Sequence, residues 1–167
     1  MAVIRSGTLA PLPLQTRQPA FGVGLNRYVS VGQYLAGSPV PDRTVWESAM
    51  TTDGFVVAEA IGYQAGSDVY GAEALDFASP AGAADFQQQT LAALCRTQTA
   101  HDMQPTTGLS DAATFVGTDG FAPYRASLVI GSSVIHLNLC RCVETPDKVA
   151  TVSNWARAVG QQLATKP

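Results

Sequence analysis

The sequence predicts an α+β fold, an antiparallel sheet of about five strands packed against two longer helices. Three observations predict it. Tyr124–Ile130 and Val134–Val143 are apolar runs joined by Gly131-Ser132-Ser133, which reads as a hairpin. Ser79-Pro80 is a helix start, with Ser as N-cap and Pro at the first helical position. Val149, Val152, Ala156, Val159 and Leu163 recur at steps of three and four, the apolar stripe of a closing amphipathic helix. Strands in antiparallel groups and helices set apart from them exclude a doubly wound parallel sheet.

Residues 1–40 read as a Pro/Gly-rich segment, punctuated by Pro11, Pro13, Pro19 and Pro39 and loosened by Gly22, Gly24, Gly32 and Gly37. Their first dozen read as a linker, as in a domain cut from a longer parent. A short strand or helical turn is expected within Val29–Leu35. Residues 41–167 read as a single α+β domain. Val40-Pro41-Asp42 opens a short helix to about Met50, anchored by Trp46, with Pro and the acid placed in its first turn. After the turn Thr52-Asp53-Gly54, Phe55–Tyr63 reads as a strand. Gly66-Ser67-Asp68 turns the chain into a second, Val69–Phe77, with Val69, Gly71, Glu73, Leu75 and Phe77 on one face. The next helix runs from Ser79 to about Arg96 or Gln98, with Ala83, Phe86, Thr90 and Leu94 facing the core and Leu91 and Cys95 beside them. His101–Ser110 reads as a polar connection, and a strand follows near Ala112–Val116. Alternation on the last strand puts Ile135, Leu137 and Leu139 on one face and His136, Asn138, Cys140 and Cys142 on the other.

Composition narrows the function classes. With 167 residues, one ordinary domain can bury a sizeable core without help from disulfides. Apolar residues are 46% and charged residues only 14%, against about 25% in an average domain, so the chain is globular with a weakly charged surface. The net charge of −3 and the absence of any Lys/Arg run argue against a nucleic-acid partner. No stretch approaches the roughly 20 apolar residues that span a bilayer. Met1–Arg5 is too short and too soon interrupted for a secretory apolar region. The chain is then either cytoplasmic or an extracytoplasmic domain whose signal or anchor lies outside it.

The cysteines bear on that choice. A Cys95–Cys140 or Cys95–Cys142 bridge would tie the 79–97 helix to the last strand, closing a loop worth about 4 kcal/mol in the chain-entropy model. It would belong to an oxidising compartment and leave one odd thiol. The alternative is three buried small apolar side chains in a reduced protein. Metal is not expected: His101, His136, Cys95, Cys140 and Cys142 are suitable ligand types, but Cys-x-Cys on an extended strand is not a zinc knuckle. His101-Asp102 has the form of a base with its orienting acid, yet no glycine-framed nucleophile accompanies it, so no catalytic residue is assigned. Gly22-Val23-Gly24 lacks the third glycine of a dinucleotide fingerprint, no phosphate loop is present, and Asp42, Asp53, Asp68, Asp76 and Asp111 form no calcium loop, so no cofactor is expected.

Val69-Tyr70-Gly71 leads through Asp76-Phe77-Ala78-Ser79-Pro80 into Ala83-Ala84-Asp85-Phe86 and on to Cys95. Tyr124–Leu128 and Ser132–Leu137 pair ahead of the closing helix. In these pieces, about residues 69–167, the chain resembles the extracellular sensor domains of PknH-type transmembrane Ser/Thr kinases and related actinobacterial cell-envelope lipoproteins. It departs from them in holding three cysteines rather than four, and in having Leu91 and Ala92 where an aromatic often precedes the helix cysteine. The resemblance implies an extracytoplasmic, disulfide-bonded, non-catalytic domain that binds a small ligand or envelope component between sheet and helices. No catalytic residues carry over from it. The residues expected at such a ligand are His136 and Asn138 on the polar strand face, with His101. The competing readings are a small Ser- or Cys-dependent hydrolase and a structural assembly subunit.

Overall fold

A computed structural model of the chain describes residue 4 and residues 18–19, 26–38, 40–65, 68–106, 108–118, 124–140 and 147–165; at 18–19, 63–65, 68 and 140 it describes the backbone only. The elements run β1 (Gln18–Pro19), β2 (Asn26–Tyr28), α1 (Val31–Gly37), α2 (Arg43–Thr52), β3 (Phe55–Ala65), β4 (Asp68–Phe77), α3 (Pro80–Arg96), β5 (Ala100–Pro105), β6 (Ala112–Gly117), β7 (Tyr124–Ile130), β8 (Ser133–Cys140) and α4 (Asp147–Ala164). All strands join one antiparallel sheet in the order β1-β3-β4-β8-β7-β6-β5, with β2 also on β3.

The α+β class and the two long helices are as expected; the strand number is not. Among the described residues eight strands are present, which exceed the expected five by β1, β2 and β5. β1 and β2 are short and add to the outer side of β3, where Arg27 meets Glu59 across the pair at 3.0 Å. β5 occupies the stretch expected to be a polar connection. It carries no apolar alternation because it is an edge strand, distorted between His101 and Gln104, with Asp102 at φ 51°.

Local chemistry explains the helix limits. Asp42 is the N-cap of α2 rather than a first-turn residue, its carboxylate accepting from the Val45 amide at 3.1 Å. Ser79 caps α3 through the Gly82 amide at 3.1 Å, with Pro80 behind it as expected. α3 stops without glycine: Gln98 takes φ 53°, and the Gln98 and Thr99 amides reach back to the Cys95 and Leu94 carbonyls at 3.3 and 3.1 Å. Thr145-Pro146 repeats the Ser-Pro type of helix start ahead of the last helix; it and the residues beyond Cys140 on the last strand lie outside the described residues.

Two apolar clusters lie on the two faces of the sheet. On one face Val152, Trp155, Ala156, Val159 and Leu163 of α4 pack on Leu137 and Leu139 of β8 and their neighbours. Ile4 joins this cluster, its amide donating to the buried Asp76 carboxylate at 3.2 Å. On the other face α1, α2 and α3 pack Tyr34, Leu35, Trp46, Met50 and Phe86 on Leu75, Phe77 and Val134. The described part of the Pro/Gly-rich segment is thus laid onto the domain, with Tyr34 and Leu35 inside its core. α3 meets α2 closely: a Cβ on Gly82 would stand 2.1 Å from the Asp53 carbonyl oxygen, so only glycine fits there.

Candidate functional site

The α1–α3 face of the sheet is not filled along its whole length. Between α3 and the chain leaving α1, a groove of about 540 Å³ opens over β3, β4, β8, β7 and β6, within the usual range for small-molecule sites. Register determines its floor. One cross-strand row runs Ala60, Glu73, His136, Ser127; the next runs Gly62, Gly71, Asn138, Arg125, Phe115. The two glycines side by side in the second row remove side chains from the sheet surface and so create the hollow. Leu91 and Leu94 of α3 form one wall, and Val40, Pro41 and Trp46 form the other.

The first row holds a hydrogen-bonded carboxylate. Glu73 accepts from the Tyr34 hydroxyl at 2.9 Å and the Ser38 hydroxyl at 3.2 Å, and His136 Nδ1 stands 3.5 Å from the same oxygen that Tyr34 binds. The His136 ring packs against both Trp46, centroids 5.6 Å apart, and Phe86, 6.4 Å apart, and those two rings also touch each other at 5.2 Å. Ser127 is engaged from above, taking a hydrogen bond from Gln87 of α3 at 3.1 Å. Burial, and after it the charge of Glu73, hold the Tyr34 hydroxyl protonated well above the usual tyrosine range.

That shift has a sign that can be read in solution. The folded state favours neutral Tyr34, so its contribution to stability is complete below the ordinary value of 10.0 and declines as pH rises above it. Between pH 9 and 11 the melting temperature should fall less steeply for Tyr34→Phe than for the parent. Parallel slopes for the two proteins would contradict this.

In the second row the Asn138 side-chain amide has no hydrogen-bond partner among the described residues, although the residue is half-buried. The Arg125 guanidinium lies flat over the end of β6, where a Cβ on Gly117 would come within 3.2 Å of its Nε. Arg125 was not singled out in the sequence. Its signal was a lone cation on the polar-facing alternation of an otherwise apolar strand.

Of the residues expected at a ligand, His136 and Asn138 line the groove together. His101 does not join them. It is on β5 at the sheet edge, opposite Val116 of the α4 face, exposed, with Nδ1 2.9 Å from Asp102. Neither histidine is hydrogen-bonded to a Ser or Cys among the described residues. Among those residues no three His, Cys, Asp or Glu side chains could share a metal ion, and no helix is long and apolar enough to cross a membrane.

Cys95 corrects the expected helix-to-sheet bridge. It is a free, exposed thiol with Sγ 3.9 Å from the Met103 sulfur. The physical reason is helical phase: Leu91 and Leu94 take the positions over the sheet, and Cys95 lies one step round the helix. The Cys140 side chain and all of Cys142 lie outside the described residues, so Cys95 supplies no compartment signal here.

No protein-family model matches the chain, and no curated protein matches it. Its fold does have a solved counterpart, the extracellular domain of PknH from Mycobacterium tuberculosis, with a TM-score of 0.56 at 11% sequence identity. The chain shares the fold of that domain. The match covers 96% of this chain and 91% of the other, so it takes in the N-terminal elements as well as residues 69–167. At this identity the similarity is one of fold alone.

Proposed function

We propose that the chain is a non-catalytic, sensor-type binding domain that works outside the cytoplasm at an actinobacterial cell envelope, and that its ligand occupies the groove on the α1–α3 face. The groove itself carries this reading. It is a pre-formed hollow of about 540 Å³ with mainly apolar walls and a few converging polar groups, the usual composition of a small-molecule site. The fold shared with an extracellular domain supports the location.

Amide chemical-shift mapping tests the site. Dodecanol and dodecanoate, each below its micelle concentration, are the probes. At least one should perturb amides at Gly71, Glu73, Leu94, His136 and Asn138 while leaving Val152–Leu163 of α4 unmoved. Perturbation centred on α4, or none with either probe, would count against the groove as a binding site.

A further inference from the structure

We infer that the groove, read as a ligand site above, selects an uncharged amphiphile: an apolar chain ending in one group that both donates and accepts hydrogen bonds, held by Asn138 over the open floor at Gly71. Among the described residues the charged side chains that line the groove are Glu73 and Arg125, and both are already engaged. The Glu73 carboxylate has the Tyr34 hydroxyl, the Ser38 hydroxyl and His136 directed at it, which uses most of the four acceptor positions a carboxylate offers. Arg125 has an interaction of its own, and its guanidinium lies against Gly117 of β6, away from the glycine floor. The lining hydroxyls are committed too. Those of Tyr34 and Ser38 donate to Glu73, that of Thr90 donates to the Phe86 and Gln87 carbonyls of its own helix, and that of Ser127 accepts from Gln87. Of the polar side chains in the lining, Asn138 alone has no hydrogen-bond partner among the described residues.

Asn138 is also in the right place. It stands opposite Gly71 in the cross-strand row, and a Cβ on Gly71 would lie 3.9 Å from its Nδ2. Its amide therefore borders the floor that Gly71 and Gly62 leave bare. A side-chain amide offers two donors and a carbonyl acceptor, which matches a hydroxyl that gives one hydrogen and takes another. A charged head fits less well. A carboxylate over Gly71 would stand about 7 Å from the Glu73 position, two residues along the same face of β4, with the Arg125 charge already engaged. An ammonium would find one uncommitted carbonyl, that of Asn138, beside a Glu73 whose acceptor positions are mostly filled. Either ion would also lose hydration against Leu91, Leu94 and Val40, a cost that falls far more heavily on a charge than on a hydroxyl. The chain gains from those same walls, because it leaves water along them.

Binding of dodecanol, dodecanoate and dodecylammonium near neutral pH, each below the concentration at which it aggregates, tests the inference. Titration calorimetry gives the affinities, with tryptophan fluorescence as a second readout. Dodecanol should bind at least about fivefold more tightly than either ion. Asn138→Leu, close to asparagine in shape, should weaken dodecanol by about twofold to tenfold, the range of a single neutral hydrogen bond. Asn138→Asp keeps the shape but offers acceptors alone, so it should place dodecylammonium above dodecanol. Where one variant fails to give a native circular dichroism spectrum, the other decides. Tighter binding of either ion to the parent, equal binding of all three, or affinities that neither variant changes overturns the uncharged head at Asn138 and leaves the groove as a site. No binding of any of the three overturns both.

Discussion

Phe86→Ala should lower stability by about 3–5 kcal/mol, the usual loss for an aromatic removed from a packed core. Phe86 is fully buried and is the common neighbour of three rings: Phe77 at 4.9 Å, Trp46 at 5.2 Å and His136 at 6.4 Å. It is the residue through which α3 is seated on both α2 and the sheet. At roughly 2–4 °C per kcal/mol for a domain of this size, the melting temperature should fall by about 6–20 °C. The effect should reach the groove as well. Trp46 and His136 both lean on the Phe86 ring, so a folded Phe86→Ala protein should bind groove ligands more weakly. Phe86→Leu, which refills much of the space, should lose less of both. A drop of under about 2 °C on thermal unfolding would show that α3 is held by other contacts.

How much of this was legible in the sequence varies by element. The face assignments were. Alternation alone put Gly71 with Glu73 on one side of β4, and His136 with Asn138 on one side of β8. That these two strands are neighbours was not legible, because Glu73 and His136 meet through a pairing of non-consecutive strands that no local pattern encodes. The site exists only through that register. The N-terminal helix was legible but hidden among glycines. Ser30 and Gln33 form a reciprocal cap, the Gln33 amide donating to the Ser30 hydroxyl at 3.3 Å and the Gln33 side chain accepting from the Val29 amide at 3.0 Å. That Ser-x-x-Gln pattern stands in the sequence, and its helix delivers Tyr34 to Glu73. β5 could not be read, since a polar edge strand takes its conformation from the partner it pairs with. Cys95 was read correctly as lying beside the core-facing stripe, but the bridge expected from it is not seen, and its thiol is exposed.

Gly71→Leu should abolish most binding while leaving the fold intact, and it is the change with the largest expected effect on function. A Cβ at Gly71 meets Asn138 atoms at 3.7–4.0 Å, ordinary contact, and the backbone there is plain strand, so the substitution is accommodated. Replacing a strand glycine also removes an entropic cost of folding, so stability should hold or rise. The leucine side chain would then stand on the groove floor between Gly62 and Asn138, in the space assigned to the ligand. An overlap of this kind costs about 1–3 kcal/mol in a packed site, or roughly fivefold to a hundredfold in affinity. Calorimetric titration of Gly71→Leu beside the parent, with dodecanoate and dodecanol as probes, is therefore the most direct test that the groove is the binding site. The dissociation constant should be at least about fivefold higher for whichever probe the parent binds, with an undiminished melting temperature. Unchanged affinity in a folded Gly71→Leu protein would contradict it.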